Sequence, residues 1–101
     1  MTKMTPELAY FKALEAGKRL PELESIILTS SWFSYQYAAD IIKGRWIEAE
    51  DIIMISVNYS GCYALFVIDG KLPEKMHNMM ILYAIKDPNH LYVKSYFEYI
   101  E

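Results

Sequence analysis

One cysteine, Cys62, is all the thiol the chain has, so no internal disulfide can hold it and nothing in the fold calls for an oxidising compartment. Long apolar runs are missing as well: the longest, Cys62 to Ile68, is far too short to span a bilayer. The start, Met1-Thr2-Lys3-Met4-Thr5-Pro6-Glu7, lacks the apolar stretch of a signal peptide. A cytoplasmic protein with no membrane partner is therefore expected. Positive charge is not in excess either. A net charge of −3 argues against binding that works by neutralising phosphates, so nucleic acid is not the expected partner.

Apolar material, by contrast, is plentiful. In 101 residues, 53% are hydrophobic and 15% aromatic, enough for one core in one domain, 1–101. Glycine and proline number only four each, and they are concentrated where a pattern recurs. Three segments carry it: Gly17-Lys18-Arg19-Leu20-Pro21-Glu22, Gly44-Arg45-Trp46-Ile47-Glu48 and Gly70-Lys71-Leu72-Pro73-Glu74. Aligning Leu20, Trp46 and Leu72 gives two successive spacings of 26 residues. Glycine closes a helix in the left-handed conformation, proline fits a first helical position, and the acidic residue favours the positive end of the next helix. Each copy thus reads as helix, tight turn, helix, with Gly44 expected to be left-handed.

Upstream of the turns, Tyr37 to Lys43 and Tyr63 to Asp69 also align at 26, and Leu8 to Ala16 fits with a small deletion. After the turns, Leu20, Leu23, Ile26 and Ile27, then Trp46, Ala49, Ile52 and Ile53, then Met76, Met79, Met80 and Tyr83 form stripes at helical spacing. Thr5, Ser30-Ser31, Asn58 or Ser60, and Asp87-Pro88-Asn89 supply capping signals. A fourth copy begins at Asp87 and stops, leaving a closing helix from about His90 to Ile100. The expected fold is all-α: a short α-solenoid of about three repeats plus that closing helix. The rival is a β-hairpin over Ile52 to Ile68, turning at Asn58-Tyr59-Ser60-Gly61. The repeat opposes it, because the equivalent segments elsewhere have helical patterns.

In the turn residues the chain resembles a family of uncharacterised tandem-repeat proteins of tailed phages and large viruses. Their motif runs Val-Ile-Lys-Gly-Arg-Trp-Pro-Glu-Ala-Glu, preceded by Asp/Ser-Pro-Glu-x-Ala-Tyr. Ile41-Ile42-Lys43-Gly44-Arg45-Trp46-Ile47-Glu48-Ala49-Glu50 is close to it, and Thr5-Pro6-Glu7-Leu8-Ala9-Tyr10 resembles the opening. Ile47 departs from the usual proline, and Met76-His77 from the acidic pair. The resemblance implies a helical fold and a viral origin, and names no activity.

No catalytic constellation stands out, and no enzyme activity or cofactor is expected. His77, His90 and Cys62 lack metal-ligand spacing, and glycine-rich phosphate loops and nucleophile elbows are missing. Glu22, Glu24, Glu48, Glu50, Asp51 and Glu74 read as helix-dipole complements rather than paired acid–base groups. Lys18, Arg19, Lys43, Arg45 and Lys71 read as cations at helix C-termini, or else as a basic row able to hold a nucleotide or another anion.

The aromatic residues say more. Trp32, Tyr35, Arg45, Trp46 and Tyr59 fall at helix ends or turns, where such side chains anchor partners, and they form the expected binding set. Trp46 is expected partly in the core with its indole nitrogen near the surface, and Arg45 largely solvated. The function these features suggest is a protein-interaction module. Combined with the viral resemblance, it reads as a phage protein that binds and inhibits a host defence factor in the host cytoplasm. Self-association and anion binding are the alternatives.

Overall fold

The computed structural model describes residues 3–101, and every regular element among them is helical. Helix α1 (Pro6–Ala16) leads to α2 (Pro21–Ile27) and α3 (Ser31–Tyr37). The last runs directly into a π-helical turn, Ala38–Ile42. A 3-10 turn, Ile47–Ala49, opens α4 (Glu50–Ile53). Helix α5 (Val57–Tyr63) again continues as a π-turn, Ala64–Ile68. Helices α6 (Glu74–Lys86) and α7 (Leu91–Tyr99) complete the chain. The molecule measures 46 × 24 × 20 Å, with α3 packed between α1 and α5, and α5 between α3 and α7.

The hairpin reading of 52–68 is thus overturned. A side-chain cap decides the start of α5: Ser56 Oγ accepts from the Tyr59 amide at 3.2 Å, so the cap is Ser56 and not Asn58 or Ser60. Thr5 and Ser30 do the same for α1 and α3, accepting from the Leu8 and Phe33 amides. The closing helix falls close to the expected place, although His90, not the Asp87-Pro88-Asn89 signal, caps it.

Helix ends bring a second correction. Gly44 does not have a positive φ; Lys43 is the left-handed residue, at φ 58°, and Asp69 matches it at φ 58°. In α1 that position is Gly17, at φ 69°. The cause is the π-turn, which takes one residue more than an α-turn. The Lys43 amide reaches back to the Ala38 carbonyl at 2.8 Å, whereas the Gly17 amide reaches Ala13, one residue nearer. The small deletion in the first segment is therefore the missing π-bulge of α1.

All the residues of the three apolar stripes are buried or half-buried, and Ile27, Ala49, Ile53 and Met80 are fully enclosed. Between neighbouring segments, Ser34 and Ser60 lie buried with their hydroxyls directed at the carbonyls of Ile27 and Ile53, at 3.0 and 3.5 Å. A buried hydroxyl without such a partner would cost about 1–3 kcal/mol.

Candidate functional site

Three tyrosine-centred clasps tie each turn to the helix that follows the next loop. At the first, the Tyr37 hydroxyl accepts from the Leu20 amide (2.9 Å) and donates to Glu24 (2.6 Å). Glu24 is gripped in turn by Arg19 through Nε and Nη2, at 2.8 and 2.9 Å. The second is the same 26 residues on. The Tyr63 hydroxyl accepts from the Trp46 amide (2.9 Å) and donates to Glu50 (2.8 Å), which Arg45 holds at 2.7 and 3.1 Å. These forks give Glu24, Glu50, Arg19 and Arg45 a role beyond helix-dipole complement.

The third clasp has the same backbone contact and different chemistry. The Tyr96 hydroxyl accepts from the Leu72 amide at 2.9 Å, and its other partner is His77 Nδ1, at 2.7 Å. Lys71 stands where the arginines stood, and Met76, almost wholly buried, where the glutamates stood. Tyr96 arrives 24 residues after Leu72, instead of the 17 that separate Leu20 from Tyr37 and Trp46 from Tyr63. Helix α6, with 13 residues where α2 has 7, accounts for most of this difference, and α7 stands to the third turn as α3 and α5 stand to the first two. That is the place expected of the closing helix, since α3 and α5 are the helices that begin their copies.

The environments follow from burial. Removal from water, with a carboxylate beside it, raises the Tyr37 hydroxyl to about 12 and pushes Tyr63 higher still. The arginine fork, opposed in part by burial, lowers the Glu24 carboxyl. Burial, with Lys71 nearby, lowers His77, which favours the neutral ring that can accept from Tyr96.

The five expected binding residues divide between two places. Trp32, Tyr35 and Tyr59 come together: the Trp32 ring lies 5.9 Å from Tyr35 and 5.1 Å from Tyr59. Trp32 is 40% exposed and Tyr59 half-buried, while Tyr35 is buried and offers little to a partner. Arg45 and Trp46 belong to the second clasp. At 2% exposure Trp46 is a core residue, its ring centre 4.8 Å from that of Tyr37 and tilted against it, not the border residue expected. The aligned Leu20 and Leu72 explain this, since that position is the apolar plug of each turn. Arg45 is exposed, as a largely solvated cation should be, but only over about half its side chain, because its head is anchored to Glu50. Anchoring Arg19 and Arg45 also takes two of the five cations out of the supposed basic row.

Sequence reasoning missed the outer side of α6. Leu82 and Ile85 are 66% and 76% exposed, and Ile81 is exposed beside them. With Met79, Tyr83 and Lys86, Leu82 and Ile85 line a shallow groove of about 460 Å³. The sequence signal was the excess spacing before Tyr96. Among the described residues, no group of three or more His, Cys, Asp or Glu is placed to hold a metal ion, and no helix is long and apolar enough to cross a membrane. Compared with known protein families, with curated proteins and with solved structures, the chain gives no match.

Proposed function

We propose that the protein is a protein-interaction module built as a short α-solenoid of three repeats, and that Trp32 is the centre of its binding surface. The first two clasps, 26 residues apart, and the third turn at the same spacing support the repeat. A chain of such units offers an extended surface rather than a deep pocket. The observation that carries the binding site is Trp32 itself. Tryptophan is enriched among the residues that dominate interface energies, and here one stands partly in solvent, steadied by two tyrosine rings. Arg45, half-exposed with its head fixed by Glu50, supplies a pre-ordered cation elsewhere on the surface. The resemblance to phage repeat proteins supports a host protein as the partner, bound so as to inhibit it.

The test compares capture from a host lysate by the native chain and by Trp32→Ser. Thermal melts confirm that both are folded. A host protein retained by the native chain and lost with Trp32→Ser supports the reading. Equal capture by both removes Trp32 from the interface. Arg45→Glu is a poorer probe, because it breaks the fork to Glu50 and lowers stability along with any binding.

A further inference from the structure

Helix α7 is held differently from the two helices that clasp the earlier turns. Helix α3 is packed between α1 and α5, and α5 between α3 and α7, whereas α7 meets α5 and α6 and has no later helix beyond it among the described residues. Its buried side chains are Val93 and Tyr96, while Leu91, Lys94, Glu98 and Tyr99 are exposed. Two tyrosine hydroxyls tie it down: Tyr96 to the Leu72 amide and His77, and Tyr99 to Asp69. Among the described residues neither tie has an arginine fork behind it. A terminal element with an open flank is where local opening, with the rest of the protein folded, costs least.

Donor and acceptor counting makes the Tyr96 tie depend on one proton. The hydroxyl accepts from the Leu72 amide, so its own hydrogen is directed to His77 Nδ1, 2.7 Å away, and only a ring with Nδ1 unprotonated can take it. With both ring nitrogens protonated, a second donor faces the same oxygen and the tyrosine hydrogen loses its acceptor. At the first clasp the acceptor is Glu24, lowered by its arginine fork, which mild acid leaves ionised. Few charged groups surround His77. Lys71 stands in the turn before α6, Glu74 one helical turn back on α6 itself, and α7 contributes the Tyr96 and Phe97 rings. Helix α5 carries no charged side chain. Lys75 is tied to Asp51, Asp69 to Tyr99, and the Lys94 and Glu98 side chains of α7 are exposed.

We propose that α7 is a releasable cap, which opens from α5 and α6 while the remainder stays folded, and that protonation of His77 promotes the opening by removing the acceptor of Tyr96. Opening uncovers the flank of α5 at Gly61, where any Cβ would stand only 3.3 Å from the Tyr92 Cβ. That flank belongs to the same helix as Tyr59.

Hydrogen exchange of the full chain, followed by NMR at about pH 7.5 and about pH 5.5 and corrected for intrinsic exchange rates, tests both parts. The hydrogen-bonded amides of α7 should exchange faster than those of α3 and α5 at either pH, and their opening should respond less to added urea than global unfolding does. Between the two pH values the opening of α7 should increase severalfold, and by no more than about tenfold, the limit for one proton taken up at an ordinary histidine value in the open state. His77→Gln keeps an acceptor for Tyr96 that mild acid cannot protonate, and should make the opening of α7 equal at both pH values. Tyr99→Phe should increase the opening at both and leave their ratio unchanged. Amides of α7 as slow as those of α3 and α5 would show that the helix opens only with the whole protein, and would overturn the cap. A pH dependence that survives His77→Gln overturns the role of His77, as does one that disappears with Tyr99→Phe, which would assign it to Asp69.

Discussion

The clasps around Tyr63 and Tyr96 do the same mechanical task with different chemistry. In both, a buried tyrosine hydroxyl satisfies the amide of the residue that plugs the turn, Trp46 or Leu72. Around Tyr63 the hydroxyl is backed by an ionised fork, Glu50 with Arg45; around Tyr96 it is backed by one histidine ring. The constant element is thus the backbone amide, which has no alternative partner inside the protein. What stands behind the tyrosine is free to vary, and the variation determines how each clasp responds to mutation and to pH.

The largest effect should come from the plug. Trp46→Ala should cost about 3–5 kcal/mol, and Leu72→Ala somewhat less, because the smaller side chain leaves the smaller cavity. Chemical denaturation with circular dichroism as readout measures both. If Trp46→Ala were milder than Leu72→Ala, the indole could not be the enclosed side chain of the second turn.

Next come the hydroxyls. Tyr63→Phe should cost about 2–3 kcal/mol, since it orphans the Trp46 amide and removes a donor from the buried Glu50 carboxylate. Tyr96→Phe, which strands a neutral ring nitrogen in place of the carboxylate, should cost about 1–2 kcal/mol. Equal losses would show that the ionised backing adds nothing to the amide bond.

Acid separates the clasps without mutation. His77 has a lowered pKa in the folded protein, so the unfolded chain takes up its proton first. Its contribution is complete above the ordinary histidine value of about 6.5 and is lost as pH falls through the lowered one. Glu24, also lowered, keeps its contribution until pH falls through the bottom of the carboxylate range. Melting temperatures across this range should therefore begin to fall near pH 6, and His77→Gln should abolish that first decline while leaving the carboxylate phase. A native chain with only the carboxylate phase would mean that His77 does not titrate on unfolding.

The smallest difference lies in two equivalent glycines. Gly44 has no positive φ and open space where a Cβ would stand, so Gly44→Ala should stabilise by about 0.5 kcal/mol through the unfolded chain. Gly70 sits at φ 156°, which disfavours any side chain, and Gly70→Ala should destabilise by about 1 kcal/mol. Two changes of the same sign would contradict the placement of the left-handed residue at Lys43 and the different path at Gly70.

Much of the helical order was written in the sequence by itself. Helical spacing of Leu20, Leu23, Ile26 and Ile27, the prolines at Pro6 and Pro21, and the 26-residue recurrence of Leu20, Trp46 and Leu72 depend only on local stereochemistry and on one face being apolar. Tertiary structure decided what these signals leave open. An extra residue inside a helix, absorbed as a π-turn, moved the left-handed position from Gly44 to Lys43, and no local preference for glycine could reveal that. Burial of Trp46 and Tyr35, against the exposure of Trp32, follows from which neighbours arrive, and all three look alike as aromatic residues near helix ends. The clasps join residues 17 and 24 positions apart, so Tyr37, Tyr63 and Tyr96 acquire their partners only once the helices pack. Lengthening α6 was visible as a spacing, but its exposure was not. Only the packed helices show that nothing among the described residues covers Leu82 and Ile85.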